Sequence, residues 1–218
     1  MKSDATKLQM NYYQTDAVSL AKGLLGKVLV TNVNDIKTAG IICETEAYMG
    51  VIDRASHAYG GRRTARTETM YLPGGFAYVY LIYGMYYCMN VVAADAENPE
   101  AVLIRGILPL CGTEAMLSRR CKGKSGDRPT AGVLRHLTDG PGKLCTAMAI
   151  DKTMDKEHLD GDRIYICDAG FTLTEEAVAS ERINIDYAGE DVHKLWRFTV
   201  APEDPLRRLS AARTFVLP

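Results

Sequence analysis

An α+β fold is the expectation for these 218 residues, on two observations. Runs rich in alternating β-branched residues come in pairs joined by short turn signals, the pattern of β-hairpins. The stretches with helical spacing are short. The length supports one substantial core, so a single compact domain over residues 1–218 is expected, with the Pro- and Arg-containing residues 201–218 as a surface extension.

Asp16 to Leu25 sets Ala17, Leu20, Ala21, Leu24 and Leu25 at helical spacing, with Thr15 or Asp16 as cap and Gly26 beyond the end, which predicts a short amphipathic helix. KVLVTNV predicts a strand, and Asn34-Asp35 turns it back into GIICETEAYM as an antiparallel hairpin. Strand alternation puts Ile42, Glu44, Glu46 and Tyr48 on one face. An ionised carboxylate is buried only when paired or hydrogen-bonded, so acids beside a ring indicate either a site or a solvated edge strand. Taken alone, these ten residues favour the edge strand.

Gly50 to Thr69 is polar, with Gly60-Gly61 and Arg62, Arg63 and Arg66 around His57, and predicts a long loop of the kind that often carries function. FAYVYLIYGMYYCMNVV predicts a second hairpin turning at Tyr83-Gly84. Most of its tyrosines suit sheet packing, but a ring at the tip has little core to enter. AVLIRGILPL reads as a buried strand whose Arg105 needs a carboxylate, which Glu44 or Glu46 could supply; the alternative is that Arg105 only neutralises a structural acid. GPGKLCTAMAI predicts a helix after a glycine-rich turn, DRIYICDAG a strand, and ERINIDYAGEDVHKLWRFTV a strand, a turn and a closing strand.

Composition narrows the function classes. Hydrophobic residues at 47% and charged residues at 24% exclude global disorder. No apolar run has the ~20 residues of a membrane span and no apolar signal segment opens the chain, so a cytoplasmic protein is expected. The six cysteines form no CxxC pair and are expected to be reduced core residues. The histidines are scattered, an acidic stretch from Asp151 to Asp162 lacks the glycine and distal glutamate of a calcium loop, and the nucleotide and hydrolase motifs are absent, so neither metal nor cofactor is expected. A net charge of -1 announces no global basic field, although Arg119, Arg120, Lys122, Lys124, Arg128, Arg135 and Lys143 face only two acids in their stretch. That stretch is either a solvated basic loop or a patch facing phosphates.

Six fragments in order resemble one family: LLGKVLV, CETEAYMG with DRASHA and GGRRT, YVYLIYGMYYCMN, VLIRG, GPGKLC and RINIDYAGE…WRF. Together they are similar to the alkyladenine, or 3-methyladenine, DNA glycosylases of the mammalian type, from about Tyr13 to Val200. The resemblance implies a curved, mainly antiparallel sheet with flanking short helices and a protruding hairpin. It implies a monofunctional enzyme, acting as a monomer on double-stranded DNA, that flips out alkylated or deaminated purines of the 3-methyladenine and hypoxanthine type and hydrolyses the glycosidic bond.

By the same resemblance Glu46 is the base, and Arg105 and the main chain at Ile183 hold the attacking water. Tyr48, His57 and Tyr80 wall the base pocket, Asn90 disfavours guanine, Tyr83 fills the space left by the flipped nucleotide, and Thr64, Met85, Tyr86 and Lys143 meet phosphates. Glu44 is left as a structural or supporting acid without a firm role. Two departures concern the rim of the groove: a longer AADAENPE loop, and Asp139 where asparagine is common. The competing hypotheses are a non-catalytic module that binds damaged nucleic acid, which would have no need of a water-positioning pair, and a domain acting on RNA or free nucleosides.

Overall fold

A computed structural model describes residues 5–121, 133, 136–201, 204 and 217–218. The first hairpin forms as expected: β2 (Val28–Val33) and β3 (Ile36–Tyr48) pair antiparallel from Val28↔Ile41 to Val33↔Ile36. Asn34 and Asp35 both take positive φ, the conformation that lets a two-residue turn follow the twist of its strands. Helix α1 (Ala17–Gly23) precedes it, capped by the Asp16 carboxylate accepting the Ser19 N–H, and buries Ala17, Leu20 and Ala21.

The second hairpin joins β4 (Ala77–Ile82) to β5 (Tyr86–Ala93) through Tyr83, Gly84 and Met85. β6 (Glu100–Cys111) then lies between β5 and β3. With β1 (Thr6–Lys7) and β7 (Ile164–Asp168), the order across this curled antiparallel sheet is β1-β7-β2-β3-β6-β5-β4. Two short strands, β8 (Val178–Ser180) and β9 (Arg197–Thr199), pair with each other, and β9 also pairs with β3.

β3 is therefore no edge strand, and the solvated reading of its acids is overturned. β2 occupies one side of its first half, β9 takes over on Glu44 to Glu46, and β6 runs along the other side. The β3–β6 register shifts on either side of Glu44: Cys43 is extra on β3, and Arg105 is extra on β6 between Gly106 and Ile104. Such bulges bend a strand and re-aim the side chain at the irregularity. Here they bring Arg105 to the acidic face.

Alternate residues of the central strands serve two cores. Ala47, Val79, Met89, Val91, Val102 and Ile104 pack in the larger one with α1 and with α3 (Pro141–Ala147), which follows α2 (Thr113–Arg120). Tyr78, Tyr80, Cys88, Val92, Ala101 and Leu103 form a smaller cluster on the opposite face with Ala58 from the segment expected as a long loop and with Met70 and Tyr71 just beyond it. That segment contains two short 3-10 turns, Gly50–Ile52 and Tyr59–Gly61, and a third, Glu68–Tyr71, straddles its end.

Two expectations need correction. Arg182 to Ile185 is not a strand: Asn184 sits at φ 59 and a 3-10 stretch, Asp186–His193, follows directly. Its two isoleucines have strand spacing but are held by the site and by a small cluster of Ile185 with Ala55 and Ala188. The stretch after Val200 is not wholly superficial, because Asp204 is fully buried and accepts the Thr174 N–H, while Tyr165 donates its hydroxyl to the Pro218 carbonyl. In the basic stretch, Arg119 turns inward to the Ala147 carbonyl, and Lys122, Lys124, Arg128 and Arg135 lie outside the described residues. The six cysteines, all among the described residues, form no disulfide; Cys43, Cys88, Cys145 and Cys167 are buried, and Cys111 and Cys121 partly so.

Candidate active site

Glu46 is fully buried. Its Oε1 accepts the Ile183 N–H at 2.8 Å, while Oε2 accepts the Tyr48 hydroxyl at 2.9 Å and an Arg105 Nη1–H at 3.4 Å. Three donors, one of them charged, offset the desolvation of a buried carboxylate. Tyr48 keeps its proton, since burial and then the charge of Glu46 hold its phenol well above the ordinary range. Glu44, one strand period away, accepts Arg105 Nε at 2.9 Å and Arg197 Nε at 2.7 Å on the same oxygen. Arg105 thus pairs with both acids, the carboxylate partners that its buried strand required.

A cavity of about 270 Å³ opens beside this group, lined by Tyr48, His57, Tyr80, Asn90, Arg105 and Ile183 among others. His57 meets Tyr80 edge-on at 4.8 Å, and Tyr80 stacks on Tyr78 at 4.8 Å. The Tyr78 hydroxyl lies 3.0 Å from His57 Nδ1. Asn90 is buried, and its carbonyl oxygen has no hydrogen-bond partner among the described residues. Arg105, Asn90, Ser56 and Asn184 supply the polar part of the lining, Glu46 lies directly behind the wall through its bonds to Tyr48, Arg105 and Ile183, and much of the rest is aromatic or aliphatic.

Burial, with the nearby charges of Arg66 and Arg62, lowers the His57 pKa from its ordinary 6.5 to about 4. His57 is therefore neutral in the folded protein at neutral pH. The unfolded chain binds this proton first, so the stability tied to neutral His57 is complete above pH 6.5 and is lost as pH falls toward 4. From pH 7 to pH 5 the wild type is expected to lose about 2 kcal/mol more than His57→Gln in urea unfolding. Parallel losses in the two proteins would contradict a neutral His57.

The mouth of the cavity carries Tyr83, Tyr86 and Tyr187. Tyr83 is 72% exposed at φ 52, a backbone conformation uncommon for a bulky residue. Met85 beside it is exposed, and Tyr86 sits so close to α3 that a Cβ on Gly142 would fall 3.0 Å from its own Cβ. Lys143, next in α3, pairs with Asp139 at 2.9 Å. Thr64 is exposed on the loop of Arg62 and Arg63, and its N–H donates to Thr67 Oγ1 at 2.9 Å.

Residues 11–204 match the methylpurine-DNA glycosylase (MPG) family. The chain belongs to this family. Methylpurine-DNA glycosylases are hydrolases of the N-glycosidic bond that remove alkylated purines in DNA repair, and this chain is such an enzyme. It is 51% identical over 194 residues to a Clostridium acetobutylicum protein named "Putative 3-methyladenine DNA glycosylase", covering 89% of this chain and 94% of the relative. Proteins of the same name from Clostridium perfringens strain 13 and Desulfitobacterium hafniense are 45% and 44% identical, over 89% and 88% of this chain and 95% and 94% of theirs.

In this glycosylase, Glu46, Arg105, Ile183, Tyr48, His57, Tyr80 and Asn90 come together around one cavity. Tyr83 and Tyr86 stand at its mouth, with Met85 beside them; Thr64 lies on a separate loop. Sequence reasoning missed the pair Arg182 and Asp53, whose side chains are both fully buried. Arg182 donates to both oxygens of Asp53, at 2.5 and 2.9 Å, and to the Ala47 carbonyl at 2.9 Å. Asp53 also accepts the Met49 and Ala55 N–H groups, so one pair ties the end of the acidic strand to the His57 loop and to Ile183. The guanidinium lies over the Tyr48 ring at 4.8 Å. Asp53 opens the DRASHA fragment and Arg182 the RINIDYAGE fragment, and membership of those fragments was the available signal.

Proposed function

We propose that the protein flips an alkylated purine, of the 3-methyladenine type, from duplex DNA into the cavity and hydrolyses its glycosidic bond with Glu46 as the base. The observation that carries this reading is a fully buried carboxylate held on both oxygens by three residues that line a largely aromatic cavity. A methylated purine is cationic and leaves as a neutral molecule, so the positive charge passes to the deoxyribose. Glu46 then stabilises the oxocarbenium-like sugar and takes the proton as water attacks C1′, leaving a hydroxyl at C1′ of an abasic site.

Arg105 spends Nε on Glu44 and one Nη1–H on Glu46, which leaves further N–H groups for the water. Ile183 supports the opposite side through its main chain. Tyr48 on one side with His57 and Tyr80 on the other suits a stacked base, a mode that tolerates several damaged purines, hypoxanthine included. Asn90 crowds the exocyclic amino group of guanine. Thr64, Met85, Tyr86 and Lys143 contact phosphates, and the enzyme acts as an intracellular monomer. No helix among the described residues is long and apolar enough to cross a membrane.

The deciding experiment is chromatography of free bases from methylated duplex DNA together with scission of alkali-sensitive sites. Release of 3-methyladenine with matching abasic sites is expected; binding of damaged duplex without release would make the protein a damage-binding module. Tyr83, exposed at the hairpin tip, fills the space of the flipped nucleotide. Tyr83→Ala is therefore expected to slow release from duplex roughly 10- to 100-fold, as unstacking is worth a few kcal/mol, and to leave release from single strands unchanged. Equal slowing on both substrates would refute a wedge.

A further inference from the structure

We infer that Glu44 is a positioning residue for the reaction: it draws Arg105 away from Glu46 and so leaves Glu46 free to accept the proton of water. This rests on Glu46 being the base. Four charged side chains alternate in sign across three strands, Arg197 on β9, Glu44 on β3, Arg105 on β6 and Glu46 on β3. One oxygen of Glu44 takes Arg197 Nε at 2.7 Å and Arg105 Nε at 2.9 Å, whereas Arg105 reaches Glu46 through a single Nη1 at 3.4 Å. An arginine facing one carboxylate tends to close a bidentate pair at 2.7–2.9 Å. The occupied Nε prevents that here.

The register makes the same point for Arg197. It is the direct cross-strand partner of Glu46 on β9, yet its Nε goes diagonally to Glu44. Without Glu44, the Arg105 guanidinium would close on the one remaining carboxylate and occupy the lone pairs that water needs. The other groups facing Glu46 are Tyr48 on its own strand, Cys88 on β5, and Arg182, Tyr187 and the Ile183 N–H from the segment before β9. None of these is bonded to Glu44, so they stay in place when it is replaced.

The test is the pH dependence of single-turnover 3-methyladenine release from methylated duplex by wild type, Glu44→Gln, Arg197→Gln, the double variant and Glu46→Gln. The leaving base is already cationic and His57, bonded to neither Glu44 nor Arg197, contributes equally in every variant, so differences between variants in the loss of rate toward acid report Glu46. Glu44→Gln should slow the plateau roughly 10-fold and move the acid loss to lower pH by about one unit. Arg197→Gln should move it to higher pH, because Glu44 then serves Arg105 alone. The double variant should behave as Glu44→Gln, since Arg197 acts through Glu44.

An unmoved acid loss in Glu44→Gln, or shifts that simply add in the double variant, would overturn the proposal. Should Glu44→Gln fail to fold, Arg197→Gln decides: an upward move supports the role and an unmoved profile overturns it. A fully active Glu46→Gln would instead remove the reading of Glu46 as base, on which the proposal stands.

Discussion

Replacing Glu46 with glutamine is expected to slow base release from methylated duplex DNA by roughly 10³-fold or more, combining the loss of a general base with the loss of the negative charge facing the sugar. The amide has the shape of the carboxylate and can still accept the Ile183 N–H, so the pocket keeps its form. Affinity for damaged duplex should change by less than about threefold, which places the loss in the chemical step. Single-turnover rates and gel-shift titrations on one duplex separate the two quantities. A variant that turned over at the wild-type rate would exclude Glu46 as the base.

The second large effect is on stability. Arg182 and Asp53 are paired with no solvent contact, and each also serves main-chain groups. Removing one partner leaves the other charged and buried, so Arg182→Ala or Asp53→Ala is expected to cost ~3–5 kcal/mol in urea unfolding. Removing both should cost clearly less than the sum of the singles, because the uncompensated charge is gone. Because the pair anchors the segment holding Ile183 against Glu46, whatever protein folds should also release base slowly. A single variant that lost less than 1 kcal/mol at full activity would show that the pair anchors nothing.

Local chemistry made part of the molecule legible in its sequence. A cap and a 3.6-residue period define α1, two turn residues with positive φ define the first hairpin, and Tyr83-Gly84 marks the second. Arg105, in an apolar strand, demanded a carboxylate and finds two. What stayed hidden depends on which strands become neighbours. The residues of β3 do not say how many partners the strand has, so an edge was as acceptable as the interior position it occupies. The bulges at Cys43 and Arg105 exist only relative to the facing strand.

Ile183 and Ile185 repeat with the strand period, and nothing local reveals that Asn184 between them is left-handed. Asp53 and Arg182 are 129 positions apart, with no pattern to join them. Strand alternation put Glu44 and Glu46 on one face and could not rank them. The distinction arises in three dimensions, where Ile183 and Tyr48 meet only Glu46 and Arg197 takes Glu44.

The most direct measurement of the central claim compares two unreactive duplexes, one carrying a cationic pyrrolidine and the other a neutral tetrahydrofuran at the abasic position. If the buried carboxylate stabilises positive charge on the sugar, the wild type binds the cationic duplex roughly 100-fold more tightly, as a transition-state mimic should be bound, and Glu46→Gln binds the two alike. An undiminished preference for the cationic duplex in Glu46→Gln would contradict the account, because the charge would then be stabilised by some other group.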